Sequence, residues 1–173
     1  MPGLRDLCYH DNLSCCVCEE NNCSISLSPR GDTVLFVDGE EAIIGKPHCD
    51  CIIVLKRGRS NMTILEIYSV ELKSIQVTRP EDARDALDPN SLRQKCENCI
   101  EWAFALVKQF QTSSQNPSTR IAKYCIIAVP SETFMNIATL IGRERWRLRP
   151  RNSDGGRIVA CNESVTGRAL LAF

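Results

Sequence analysis

KPHCDCIIVLKRGRSNMTILEIYSVELK, residues 46–73, contains two apolar runs separated by a basic and polar segment. The runs cover residues 51–55 and 63–70, and the segment between them covers 56–61. Both runs are rich in β-branched and bulky residues, and the first is too short for a helix. The stretch therefore predicts two buried β-strands that pair antiparallel through a turn.

Three charged residues stand at the open end of this predicted hairpin. Asp50 precedes the first strand, and Glu71 and Lys73 close the second. Because side chains alternate between the two faces of a strand, Glu71 and Lys73 share one face. Antiparallel pairing then brings Asp50 close to both of them. Two carboxylates this close repel each other unless a cation joins them, and Mg²⁺ binds one or two carboxylates together with waters and phosphate oxygens.

The order of an aspartate, a hairpin and Glu-x-Lys resembles the PD-(D/E)xK nuclease superfamily, which includes restriction endonucleases, archaeal Holliday-junction resolvases and RecB-like nucleases. The resemblance implies that Asp50 and Glu71 bind Mg²⁺ or Mn²⁺. It implies that Lys73 orients or activates the attacking water, so that Asp50, Glu71 and Lys73 form the catalytic set. The family's proline is not adjacent to the aspartate here, since Cys49 stands in that place and Pro47 lies further back.

The same resemblance implies an α/β, restriction-endonuclease-like fold with a central mixed β-sheet flanked by helices. Hydrophobic periodicity and turn residues predict elements in a matching order. These are a hairpin over 32–45 turning at Asp38-Gly39, the motif strands, a helix over 91–111, a strand over 121–129, a helix from Ser131, and closing strands at 157–161 and 168–173.

Two further site positions follow from the resemblance. RecB-like relatives use a glutamine early in the helix after the motif strands, and Gln94 is the candidate for that place. Many members place another acid before the sheet, and Glu19 or Glu20 is the candidate for it.

Length and composition predict one domain over residues 1–173. It divides into a cysteine-rich arm at 1–29, a core at 32–130 and an arginine-rich segment at 131–173. No apolar run is long enough to span a membrane, and the first residues lack a signal-peptide pattern. The expected location is therefore cytoplasmic, without a membrane partner.

Arginines are concentrated in the last third of a chain whose net charge is zero. Seven arginines lie between residues 142 and 168, against three acids. The planar guanidinium suits contacts with phosphate, although a solvated helix face is an equal alternative. The candidate DNA-binding residues are Arg143, Arg145, Arg147, Arg149 and Arg151, and the expected partners are DNA and, in a homodimer, a second copy of the chain.

The chain has eleven cysteines, an odd number that predicts one or more disulfides and at least one unpaired thiol. Disulfide-rich intracellular proteins are typical of hyperthermophilic archaea, so that source is expected. The arm cysteines at 15, 16, 18 and 23 are an alternative metal or cluster site. Cys96 and Cys99 form a C-x-x-C on the apolar stripe of the predicted helix, which favours buried core thiols over a redox or metal pair.

The predicted function is divalent-metal-dependent hydrolysis of DNA phosphodiester bonds by an endonuclease or exonuclease. Two other functions remain open from the residues alone. One is a nuclease-like fold that binds DNA or a protein without cutting. The other is a metal- or redox-binding protein built on the cysteines.

Overall fold

The computed structural model describes residues 17–20, 23–26, 32–59, 62–75, 78–79, 81–83, 87–111, 119–144, 148, 150–161 and 169–171. The strands in these ranges are β1 Val17–Glu20, β2 Cys23–Ser26, β3 Asp32–Asp38, β4 Cys51–Arg59, β5 Met62–Leu72, β6 Thr119–Val129, β7 Gly155–Ala160 and β8 Ala169–Leu171. The helices are α1 Gly39–Ala42, α2 Pro89–Gln111 and α3 Ser131–Glu144.

The central sheet contains six strands in the order β3-β4-β5-β6-β7-β8. Strand β4 pairs antiparallel with both β3 and β5. Strand β6 is parallel to both β5 and β7, and β8 is antiparallel to β7. Because β5 and β6 are parallel, the chain must cross back between them, and α2 lies in that connection. The predicted mixed α/β sheet is confirmed.

The hairpin predicted from residues 46–73 is β4 and β5. Their register runs from Cys51 opposite Val70 to Arg59 opposite Met62. The alternation is also confirmed, since Ile52 and Ile67 pack in the core under α2 while Val70 packs in the core on the other face.

Both long helices pack on one face of the sheet. The inner stripe of α2 shares a cluster with Cys125 of β6, and Phe134 and Ile137 of α3 share a cluster with Ile127 of β6. Cys125 and Ile127 lie on the same face because strand side chains alternate. The opposite face packs against the small β1–β2 hairpin, whose Cys18, Cys23 and Ile25 are buried there.

The prediction of a return strand at 40–45 is wrong. Asp38 caps a single helical turn instead, and its side chain accepts a hydrogen bond from the Glu40 amide at 2.8 Å. An aspartate before glycine serves a helix N-cap as well as a hairpin turn. The strand partner of β3 is β4 rather than residues 40–45, so β3 is an edge strand among the described residues.

Among the described residues, eight cysteines form four disulfides, which confirms the prediction of disulfide bonds. Cys96 and Cys99 are buried as predicted, but they are not free thiols, because each faces a cysteine across the core at the helix–sheet interface. The pairs are Cys18–Cys51, Cys23–Cys161, Cys49–Cys99 and Cys96–Cys125. Cys8, Cys15 and Cys16 lie outside the described residues. In the part of the chain that the structure describes, no helix is long and apolar enough to cross a bilayer.

Candidate active site

Asp50 is attached to the end of β5 by two hydrogen bonds. Its amide donates to the carbonyl oxygen of Val70 at 3.0 Å, one residue beyond the first pair of the hairpin ladder. Its side-chain Oδ2 accepts from the amide of Leu72 at 2.5 Å. The carboxylate of Asp50 is therefore held beside the strand end that carries Glu71, as the hairpin predicted.

Gly39 holds the other side of Asp50. The Gly39 amide donates to the Asp50 carbonyl oxygen at 2.9 Å. A Cβ on residue 39 would stand 1.7 Å from the carbonyl oxygen of Cys49, a distance at which the backbone must move. Only glycine therefore allows α1 to begin against the Cys49–Asp50 peptide group.

Glu71 is the buried centre of the site, with a relative exposure of 5%. Its Oε1 accepts from Lys73 Nζ at 2.7 Å and from Lys95 Nζ at 2.6 Å. Its Oε2 is buried and has no hydrogen-bond partner among the described residues. A buried carboxylate oxygen without a donor is costly, so this atom is available to a further hydrogen-bond donor or to a cation.

Lys73 lies two residues after Glu71 and is fixed by its main chain. Its amide donates to the carbonyl oxygen of Ala128 on β6 at 2.8 Å, which continues the pairing of the two parallel strands by one residue. The side chain keeps 25% of its surface exposed. Lys73 therefore reaches both the buried carboxylate and solvent.

Lys95 of α2 belongs to the same cluster, although it was not among the residues predicted from the sequence. Partial burial lowers the pKa of Lys95, but the hydrogen bond to Glu71 and the charges of Glu71 and Asp50 outweigh burial and raise the pKa above its ordinary value. The side chain is 26% exposed.

A signal for Lys95 was present in the helix periodicity. Lys95 follows Leu92 by three residues and precedes Cys99 by four, so it falls on the inner face of α2. Gln94, the position that the family resemblance suggested, is exposed. A charged residue on an otherwise apolar stripe needs a partner when it is buried, and here that partner is Glu71.

The structure places some of the other predicted site residues. Arg151 is exposed, and its main-chain amide donates to Glu97 Oε1 of α2 at 2.8 Å. Arg143 belongs to α3, and Glu19 is exposed on β1. The side chains of Glu20 and Arg143, and the whole of Arg145, Arg147 and Arg149, lie outside what the structure describes.

No group of three or more histidine, cysteine, aspartate or glutamate side chains that could hold a metal is found among the described residues. Two carboxylates lie on neighbouring strand ends, since Asp50 Oδ2 accepts from the amide of Leu72, the residue after Glu71. Mg²⁺ commonly takes one or two carboxylates and completes its octahedron with waters and phosphate oxygens.

Comparison of the chain with protein-family models, curated proteins and solved structures finds no match in any of the three. The case for a function therefore depends on the geometry and chemistry of the site.

Proposed function

We propose that the chain is a Mg²⁺-dependent nuclease that hydrolyses phosphodiester bonds of DNA. The observation that carries this proposal is the buried Glu71 carboxylate, which offers one oxygen to two lysine ammoniums and keeps the other without a hydrogen-bond donor among the described residues. A carboxylate that binds a lysine with one oxygen and a metal ion with the other can hold both positive charges beside a phosphate group.

The order of the elements supports a nuclease fold of the PD-(D/E)xK type. Strand β3 precedes the motif hairpin of β4 and β5, and the helix α2 and the strand β6 follow it. This is the succession that the family resemblance implies. The assignment to that fold is part of the proposal.

In the proposed reaction, Asp50 and Glu71 would hold the metal ion. Mg²⁺ bound there would supply a water of lowered pKa and would offset negative charge on the phosphate. Lys73 is hydrogen-bonded to Glu71 Oε1 and partly exposed, so its ammonium can orient the attacking water beside the carboxylate. The amide of Leu72 keeps Asp50 in place by donating to its Oδ2.

The arginine-rich segment is fastened to the helix that carries Lys95. The Arg151 amide binds the side chain of Glu97, and Asn152 Nδ2 donates to the Glu97 carbonyl oxygen at 2.9 Å. Residues 151 and 152 of the arginine-rich segment are therefore attached to the helix that carries Lys95. This attachment supports the proposal that the segment and the site act on the same DNA.

Two observations bear on the alternative functions. The two lysines balance the two carboxylates, which suits a module that binds nucleic acid without a metal. Pairing of eight cysteines in disulfides leaves those sulfurs without the thiolate that metal binding needs, which counts against a cysteine-based metal protein in the described part of the chain.

The test is cleavage of duplex, branched and single-stranded DNA with Mg²⁺ or Mn²⁺. Asp50→Asn and Glu71→Gln should each lower the rate by roughly 100-fold or more, the loss typical of removing one electrostatic contact to a transition state. Lys73→Ala should lower the rate while metal affinity is largely kept. Glu66→Gln is the matched control, because Glu66 is an ion-paired glutamate further back along β5.

The outcomes separate the candidate functions. Equal cleavage by Asp50→Asn and the parent would assign the activity to another site. Binding of DNA with a steep salt dependence and without cleavage would support the non-catalytic alternative. Stoichiometric zinc or iron in the purified protein would support the cysteine-based one.

A further inference from the structure

We propose that Lys95 is a second catalytic lysine, whose ammonium forms with that of Lys73 a binding site for the phosphodiester anion. The inference rests on the proposed nuclease function. It adds a residue that binds the substrate phosphate. That residue, Lys95, lies outside the Asp-hairpin-Glu-x-Lys pattern because it belongs to α2.

The two lysines share one oxygen of Glu71. Both ammoniums bind Oε1, at 2.7 Å and 2.6 Å, although Oε2 of the same carboxylate has no donor among the described residues. Lysines that only neutralised a buried glutamate would be more stable with one on each oxygen, since two like charges held at one atom repel each other. Crowding both on one oxygen leaves the other for a cation and creates a patch of two ammoniums beside it.

The two ammoniums retain hydrogen-bond donors with which they can bind an anion. Each carries three hydrogen-bond donors, and the bond to Glu71 uses one of them. Both side chains are about one quarter exposed, at 25% and 26%, whereas that of Glu71 is 6% exposed. Donors of Lys73 and Lys95 can therefore reach a solvent-borne phosphate that Glu71 itself cannot contact.

The charge of Lys95 also balances the charge that develops in the reaction. The oxygen of a hydroxide ion bonds to phosphorus, the bond from phosphorus to the leaving oxygen breaks, and the leaving oxygen takes a proton from solvent. The diester and the hydroxide bring one negative charge each, so the transition state carries two. Two carboxylates, two ammoniums and a divalent cation sum to two positive charges, and without Lys95 the sum is one.

The role of Lys95 differs from that of an ordinary structural ion pair in one measurable respect. A structural lysine affects the stability of the fold and leaves the affinity for phosphate unchanged. A lysine that contacts the substrate phosphate affects both the affinity for anions and the rate.

The experiment is calorimetric titration of the full chain with inorganic phosphate in the absence of divalent cations, combined with cleavage rates in Mg²⁺. Lys95→Met should weaken phosphate binding about 10-fold, and Lys95→Arg should keep it within about threefold because the charge remains. Lys108→Met is the matched control, since Lys108 is an exposed lysine further along α2 whose ammonium lies over Phe104. It should bind phosphate as the parent does.

Thermal unfolding of each variant separates folding from binding. If Lys95→Met does not fold, Lys95→Gln and Lys95→Arg take its place, and a phosphate affinity that follows the charge at residue 95 still supports the inference. A parent that binds no phosphate overturns it. So does a folded Lys95→Met whose phosphate affinity and cleavage rate equal those of the parent.

Failure of this inference and failure of the nuclease function give different results. DNA cleavage that depends on Asp50 and Glu71 but is indifferent to Lys95 would remove the phosphate site and keep the nuclease. Phosphate binding that depends on Lys95 without any cleavage of DNA would keep the anion site and remove the nuclease.

Discussion

Among single residues, Gly39 and Glu71 determine most of the geometry of the site. The missing Cβ of Gly39 allows its amide to reach the Asp50 carbonyl oxygen, and that hydrogen bond fixes the start of β4. Glu71 is buried because β5 carries it inward beneath α2, and the ammoniums of Lys73 and Lys95 offset the cost of that burial.

Gly39→Ala should destabilise the fold and disturb Asp50. The new Cβ would overlap the Cys49 carbonyl oxygen, so the 49–50 peptide group must shift, at a cost of about 1–3 kcal/mol in the free energy of unfolding. Chemical denaturation measures this change. Gly58→Ala is the control, because a Cβ there meets nothing within 4 Å and should change stability by less than about 0.5 kcal/mol. Equal stability of the two variants would contradict the close approach at Gly39.

Tyr68 should ionise later than an ordinary tyrosine. Burial raises the pKa of its phenol above the usual value near 10, and its hydrogen bond to Glu66 and the charge of Glu66 raise the pKa further. Since the folded-state pKa is the higher one, this stabilisation is complete below about pH 10 and is lost as the pH rises through the folded-state value.

Ultraviolet titration of the phenolates measures the pH at which each tyrosine ionises. The parent should show a late step that Tyr68→Phe lacks, and the variant should lose about 1 kcal/mol of stability at neutral pH with its hydrogen bond. A late step that persists in Tyr68→Phe would assign it to another tyrosine.

On the scale of secondary-structure elements, α2 connects most of the site to the sheet. Its inner stripe packs on β4, β5 and β6, and two of its cysteines are bonded to Cys49 and Cys125. Lys95 lies next to Cys96, and Asp50 lies next to Cys49. The two disulfides therefore restrict the movement of Lys95 and Asp50 relative to each other.

Removing the Cys49–Cys99 disulfide should affect the site more than removing Cys23–Cys161. Each removal should lower the free energy of unfolding by about 2–4 kcal/mol, because the unfolded chain gains freedom. Cleavage should fall clearly in the Cys49→Ala/Cys99→Ala variant, since the bond joins the residue before Asp50 to α2.

Cys23→Ala/Cys161→Ala is the matched control, because that disulfide joins the β1–β2 hairpin to the end of β7. Its cleavage rate, measured well below its unfolding temperature, should stay near that of the parent. Thiol titration of the denatured, unreduced parent should find no more than three free thiols among its eleven cysteines. A count of eleven would contradict the disulfides altogether.

For the whole molecule, positive and negative charges are equal in number but unevenly distributed along the chain. The net charge is zero, yet the chain between residues 142 and 168 carries seven arginines and three acids. Within this segment, Arg151 and Asn152 are attached to α2 through Glu97. A run of arginines in a chain of zero net charge suits the proposed DNA substrate better than the overall charge suggests.

Replacing Arg145, Arg147 and Arg149 with glutamine should weaken DNA binding and flatten its salt dependence. For every phosphate that the variant no longer neutralises, the slope of log affinity against log salt should become shallower by about 0.9 on duplex DNA. Affinity measured over a range of salt concentrations gives that slope. An unchanged slope would show that these arginines are solvated and do not contact DNA. The control is replacement of the exposed Arg120 on β6, which should leave the salt slope of the parent unaltered.

The sequence by itself determined the motif hairpin, the apolar stripe of α2, the strand at β6 and the mixed sheet, because period and turn chemistry are local properties of the chain. It also placed Asp50, Glu71 and Lys73 at one strand end, since pairing through a short turn leaves few registers. Only the tertiary structure decided that Lys95 joins Glu71, that Cys49 pairs with Cys99 and Cys96 with Cys125, and that residues 39–42 form a helical turn. The ion pair and the two disulfides depend on which residues of α2 meet β5, β6 and the residues before β4 across the core, and no local pattern specifies that meeting. The helical turn depends on the contact of the Gly39 amide with the Asp50 carbonyl oxygen, because Asp38-Gly39 alone also suits a hairpin turn.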